Sequence, residues 1–141
     1  MLDTALKIAW LCWGTPYRWG GDDFSSFDCS GFICEILKSV GLIGRNEDYT
    51  AQGLWDKFKD KRINIGVDIR FLNEGVLVFW GESETKITHI EMSVGGGRSI
   101  GASGGGSKTL SLQDSIDQNA WIKVRPIRSR KDIVGFISLF E

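Results

Sequence analysis

The spacing of apolar residues divides the chain into a first part with helical periods and a second part with strand periods. Ala5, Leu6, Ile8, Ala9, Leu11 and Cys12 crowd the segment Thr4–Trp13, with no breaker before Gly14 and Pro16, which predicts a short, largely buried helix. A turn-rich stretch from Tyr17 to Ser26 follows, holding Gly20, Gly21, Asp22, Asp23 and two serines. Phe32, Ile33, Ile36, Leu37 and Val40 then recur at helical spacing from Cys29 to Val40 and stop at Gly41, a residue suited to a helix C-terminus. Cys29 thereby falls at a helix N-terminus. A third short helix is predicted over Ala51–Lys59, capped by Thr50 and burying Leu54, Trp55 and Phe58.

From there the period changes. Val76–Trp80 is a continuous apolar run of strand length, and Ile87–Val94 alternates, with Thr88, Ile90, Met92 and Val94 on one face and His89, Glu91 and Ser93 on the other. Gly95, Gly96 and Gly97 predict a hairpin turn into a strand over Arg98–Ala102, and Ser111 with Asp114 resembles a capping box for a brief helix. Trp121–Ile127 and Ile133–Phe140 are rich in β-branched and aromatic residues, and Pro126 places the first of them at an edge or a strand end. Helices first and strands afterwards is the order of an α+β domain whose helices pack against one antiparallel sheet.

The chain has 141 residues, is 42% hydrophobic and carries a formal net charge of -1, which predicts one domain over residues 1–141 with its own core. The charges are scattered, so the basic footprint of a nucleic-acid binder is missing and long-range attraction to anionic lipid is not expected. No apolar run approaches the roughly 18 residues of a membrane span, and Met1–Gly14 lacks the pattern of a secretory signal. A cytoplasmic or virion-associated location is the expectation. Three cysteines, Cys12, Cys29 and Cys34, are an odd number, so a disulfide framework is a poor reading and at least one thiol is expected free.

His89 is the only histidine and the only side chain ready to act as a general base at neutral pH. Cys29 is its natural partner, because free N–H groups and the dipole at a helix start favour a thiolate there and could also hold an oxyanion. Cys12 lies in an apolar helix, and Cys34 stands about 140° around the helix from Cys29, at about 100° per residue. Both read as small core hydrophobes. No metal is expected, since neither Cys-x-x-Cys nor His-x-x-x-His occurs, and no cofactor either. The glycines of Gly101–Thr109 fail as a phosphate loop because Ser107 precedes Lys108; they predict a flexible turn near the site.

Five segments together resemble the NlpC family of papain-like cysteine peptidases, also called the p-sixty family. They are Pro16–Gly21 (PYRWGG), Phe27–Phe32 (FDCSGF), Gly75–Trp80 (GVLVFW), Thr88–Ile90 (THI) and Gly97–Ser103, in family order. The resemblance implies a papain-like fold in which the nucleophile Cys29 starts a helix packed on a sheet that carries the base His89. It also implies that Asp28 and Ser30 flank the nucleophile and receive the free amino end of a stem peptide or muropeptide of bacterial peptidoglycan, and that the Tyr17 hydroxyl faces the same pocket. The bond implied is the one between D-glutamate and the diamino acid. Absence of an export signal, together with the loop Ile100–Ser107, is similar to compact phage-encoded members, so association with a phage tail or virion is a further expectation.

One departure bears on the chemistry. Family members usually carry a polar residue, often histidine, on the strand after the base, to hold its second ring nitrogen, and the matching position here is Gly101. Ser103 and Glu91 are the candidate replacements. Glu91 shares the face of His89, but residues two apart on a strand stand roughly 7 Å apart, so a solvated Glu91 is expected. Two other readings stay open: an inactive structural or binding module, which Gly101 favours, and a related CHAP-type amidase or thioesterase.

Overall fold

The computed structural model describes residues 1–23, 26–64, 66 and 68–140; Phe24, Ser25, Ile65, Val67 and Glu141 lie outside the described residues, and with them one serine of the predicted turn-rich stretch and the last residue of the predicted domain. Three helices come first: α1 (Leu2–Leu11), α2 (Cys29–Ser39) and α3 (Ala51–Lys57), with a small ribbon of β1 (Asp22–Asp23) and β2 (Ser26–Phe27) before α2. The rest is β3 (Arg62–Ile63), β4 (Leu77–Ser83), β5 (Lys86–Gly95), β6 (Arg98–Ser103), a short α4 (Leu112–Asp117), β7 (Trp121–Pro126) and β8 (Ile133–Ile137). β3 to β8 form one six-stranded sheet in the order β3-β8-β4-β5-β6-β7, antiparallel throughout. This is the predicted α+β architecture, with β7 at an edge and Pro126 at its end.

The unbroken apolar run of β4 has a simple cause: the strand is covered on both faces. Leu77 and Phe79 join the main core, shared with α1, α2 and α3, while Val78 and Trp80 join a second cluster on the opposite face with Ile69, Leu72 and Phe136. Register carries the same division into β5, where Phe79 pairs with Ile90 and Trp80 with His89. Ile90 and Met92 therefore face the helices, and His89, Glu91 and Ser93 face away from them.

Side-chain caps set two helix starts: Asp28 accepts from the Gly31 N–H of α2, and Thr50 from the Gly53 N–H of α3. At α4, Ser111 accepts from the Asp114 N–H at 3.1 Å, but the Asp114 carboxylate returns to the Leu110 N–H rather than to Ser111. The expectation of a largely buried first helix needs correction. Only Ala5 and Ala9 of α1 are buried, while Trp10 and Leu11 are exposed, because two small residues one turn apart give a close but narrow contact with the core. Among the described residues no helix is long and apolar enough to cross a membrane.

Candidate active site

The start of α2 is fastened to the preceding loop by its cap. Asp28 accepts the Gly31 N–H at 2.7 Å through one carboxylate oxygen and the Gly20 N–H at 3.1 Å through the other. Gly31 is required here, since a Cβ would stand 2.1 Å from the Gly21 carbonyl oxygen. Cys29 is the first residue of the helix so anchored. Asp28 and Ser30 line a groove of about 300 Å³ together with Gly20, Asp22, Asp48 and Thr50. Tyr17 lines a neighbouring hollow of about 280 Å³ with Arg18 and Leu110. Its ring packs so tightly on Gly105 that a Cβ there would come within 2.5 Å of Cδ1, so the glycine turn does lie beside a predicted site residue.

Pairing between β5 and β6 runs from Met92–Ile100 to Gly95–Arg98, and upstream of Met92 no further pair joins the two strands. In that stretch the Ile90 N–H donates to the Cys29 thiol, and the Glu91 carboxylate is near enough for its charge to act on the sulfur. The nucleophile candidate thus meets the strand of the base candidate at Ile90, the residue that follows His89 along β5. Cys12 and Cys34 are buried in the main core, and Cys34 donates to the Tyr49 carbonyl at 3.4 Å.

The expected thiolate at the helix start is not what the surroundings favour. Burial pushes the Cys29 thiol up to about 12, the Asp28 carboxylate adds to the rise, and the Ile90 and Ser30 N–H groups oppose it without prevailing. The helix start already carries a carboxylate cap, which takes the Gly31 N–H and sets a negative charge beside the sulfur. Burial likewise raises Tyr17, with Cys29 and Asp28 contributing, and raises Asp28 against three hydrogen bonds that lower it.

Glu91 is the largest correction. It is 0% exposed, and its Oε2 lies 2.6 Å from His89 Nε2 and 2.8 Å from Arg125 Nη2, while its Oε1 accepts from the Ser99 hydroxyl at 2.7 Å. A carboxylate can only accept, so Nε2 carries the proton in that bond and Nδ1 is the ring nitrogen left to take one. The side chain folds back along its strand because the next strand leaves it room: a Cβ at Gly101 would stand 2.3 Å from Glu91 Cγ. Burial alone would raise the Glu91 carboxyl, but the His89 hydrogen bond, the charges of His89 and Arg125 and the Ser99 hydroxyl together hold it below the ordinary range. Ser103, the other candidate, is buried with its hydroxyl unpartnered among the described residues. Trp80 covers His89, ring centroids 5.3 Å apart. Arg125 was not foreseen; 34 residues from Glu91 in sequence, it carries no local signal.

A family model described as "NlpC/P60 family" matches residues 14–126. The chain is 32% identical over 102 residues to the "Probable peptidoglycan endopeptidase LytE" of Bacillus subtilis (strain 168), covering 72% of this chain and 27% of that one. It is 34% identical over 101 residues to a "Gamma-D-glutamyl-L-lysine dipeptidyl-peptidase" of Bacillus cereus (strain ATCC 10987 / NRS 248), covering 70% and 27%. The chain thus spans about a quarter of the length of these curated relatives. Among solved structures, the NlpC/p60 domain of the peptidoglycan hydrolase SagA superposes with a TM-score of 0.69 at 25% identity, covering 99% of both chains. RipD of Mycobacterium tuberculosis, a non-catalytic NlpC/p60 domain protein, has a TM-score of 0.68 at 14% identity over 99% of this chain and 97% of its own, a likeness of fold alone.

Proposed function

This chain belongs to the NlpC/P60 family, and from that premise we propose that it is a cysteine peptidase acting on the bacterial cell wall. Its substrate is a peptidoglycan stem peptide or muropeptide, cut between D-glutamate and the diamino acid. Cys29 is the nucleophile, His89 the base and Glu91 the group that orients the base. The observation that carries this reading is the 2.6 Å contact between Glu91 and His89 Nε2, on the strand whose Ile90 N–H meets the Cys29 thiol. Gly101 was the ground for an inactive module, and a buried carboxylate on Nε2 removes that ground.

The chemistry is acyl transfer. As Cys29 Sγ forms its bond to the scissile carbonyl carbon, its proton passes to His89 Nδ1 and the carbonyl electron pair moves to oxygen. The Cys29 backbone N–H and a donor near Tyr17 receive that oxyanion. Collapse expels the amine, which takes the proton from Nδ1. Water, deprotonated by the same nitrogen, then releases the acyl group and restores the thiol. Glu91 accepts from Nε2–H throughout and stabilises the imidazolium while it exists. Asp28 and Ser30, at the groove beside the helix start, receive the free amino end of the peptide.

Mass spectrometry of defined muropeptides tests this. The wild-type protein is expected to release fragments ending in D-glutamate, and Cys29→Ala to release none while keeping the wild-type circular dichroism spectrum. Intact muropeptides after incubation with the wild type, or cleavage by Cys29→Ala, would overturn it.

A further inference from the structure

The groove at the start of α2 has two walls, each pinned to the helix by bonds of its own. On one side Asp28 holds the Gly20 N–H at 3.1 Å, and Asp22 follows at the head of the small ribbon. On the other, Lys38 Nζ meets Asp48 Oδ1 at 2.6 Å, the Cys34 thiol donates to the Tyr49 carbonyl at 3.4 Å, and Thr50 caps α3. Asp22, Asp28 and Asp48 therefore line one space of about 300 Å³, and among the described residues that line it none is a lysine or arginine. Lys38 is nearly buried, with 9% of its side chain exposed against 64% for Asp48, so the carboxylate and not the ammonium faces the groove. Arg18 lines the neighbouring hollow instead. Both oxygens of Asp28 accept N–H groups, and the charge of Asp22 already acts on that carboxyl.

The charge count selects among substrates. Lys38 offsets one of the three carboxylates, and the free amino end of the peptide, which the proposed function places beside Asp28, offsets a second. One negative charge is left over. Between that amino end and the carbonyl at Cys29 lies the D-glutamate, and in a γ-linked stem the chain passes through its side-chain carboxyl. Its α-carboxyl is then a branch over the groove, a few bonds from the ammonium. As an acid it would bring a second uncompensated negative charge into a space of about 300 Å³, where salt screens incompletely because the Debye length at physiological ionic strength is about 8 Å. As an amide it carries no charge and offers two N–H donors to carboxylates that can only accept. We infer that the acidic groove selects stem peptides whose D-glutamate α-carboxyl is amidated, with Asp48 and Asp22 as the residues that set this specificity. The inference rests on the proposed function and names its substrate more closely.

Two stem peptides test this, alike in a free amino end and in lysine as the diamino acid, and different only in an acid or an amide at the D-glutamate α-carbon. With wild type, kcat/KM is expected to be about tenfold higher for the amide at low ionic strength, mostly through KM, and the ratio should shrink as salt is added. Asp48→Asn should bring the two substrates within about threefold of each other, and Asp48→Lys should favour the acid. Asp48 is exposed, so both variants are expected to keep the wild-type circular dichroism spectrum, and Asp22→Asn repeats the test from the other wall. Equal kcat/KM in wild type, a preference for the acid, or a ratio that folded Asp48→Asn and Asp22→Asn both leave unmoved would overturn the inference. Cleavage of neither peptide would instead strike the proposed function. The affinities of the two peptides for Cys29→Ala, measured by calorimetry, would still give the preference of the groove, and equal affinities there would overturn the inference as well.

Discussion

Filling the gap at Gly101 should disable the site while changing only one hydrogen to a methyl group. In Gly101→Ala the new Cβ would stand 2.3 Å from Glu91 Cγ and 2.8 Å from its Cδ, against the roughly 3.5 to 4.0 Å of an ordinary carbon contact. Glu91 would have to retreat by more than an ångström. Its oxygens cannot follow, being held at 2.6 Å by His89, 2.8 Å by Arg125 and 2.7 Å by Ser99. Breaking a buried charged cluster costs about 3 to 5 kcal/mol. The lower end applies, because the Arg125 side chain is 24% exposed and water takes up part of its loss. The strand preference for alanine over glycine returns about 0.5 to 1 kcal/mol, leaving a loss of roughly 2 to 2.5 kcal/mol. For a domain of this size that is a fall in Tm of about 6 to 12 °C. Urea unfolding followed by tryptophan fluorescence reads it directly, and hydrolysis should fall about 10- to 100-fold as Glu91 leaves Nε2. In a Glu91→Ala background no Cγ remains to collide, and the same substitution should be neutral or stabilising. Equal effects in the two backgrounds, or an unchanged Gly101→Ala protein, would refute the claim that this glycine exists to house Glu91.

Three further outcomes follow from the same geometry. Asp28→Asn keeps an oxygen for the Gly31 N–H but removes the charge that raises the Cys29 thiol, so the pH profile of alkylation should shift downward by about one unit; an unmoved profile would remove Asp28 from that account. Gly31→Ala puts a Cβ 2.1 Å from a backbone oxygen that cannot rotate away and should cost about 1 to 3 kcal/mol in thermal unfolding, together with most activity; a variant matching wild type in both would contradict the contact. The Glu91 carboxyl is held below its ordinary value, so its stabilising contribution is present above the unfolded value of about 4.3 and is lost as pH falls through the folded one. Urea stability between pH 6 and 3, taken as the assay range by that same unfolded value, should decline more steeply in wild type than in Glu91→Gln, and parallel curves would refute the assignment.

Local pattern was most informative where an element has a period of its own. β4 and β5 are legible because one is an unbroken apolar run covered on both faces and the other alternates polar and apolar residues from His89 to Val94. The two-residue strands β1, β2 and β3 have no period to detect; β3 exists only through its pairing of Arg62 and Ile63 with Ile137 and Phe136. The apolar crowd of α1 showed a helix but not its orientation. Ala5 and Ala9 allow close approach to the core, and that steric fact outweighs the greater hydrophobicity of Trp10 and Leu11 on the outward side.

The site divides along the same line. Cys29 and His89 announce themselves by residue type and by their places at a helix start and on a strand, all properties of short segments. What holds His89 is a property of three strands at once. The rule that residues two apart on a strand stand about 7 Å apart describes backbones, and Glu91 evades it with three side-chain torsions, once β6 offers an open lane. That lane is Gly101, the residue whose missing side chain counted against catalysis when positions were compared one at a time. Its Cβ would fall 2.3 Å from Glu91 Cγ, so the carboxylate and a side chain at 101 exclude each other. The Glu91 carboxylate reaches His89 Nε2 at 2.6 Å, and it can do so only while position 101 stays unfilled. The absence at 101 and the presence at 91 are therefore one steric feature, and under the proposed mechanism a comparison that treats them as independent positions scores as a loss what is a transfer of the same task to the neighbouring strand.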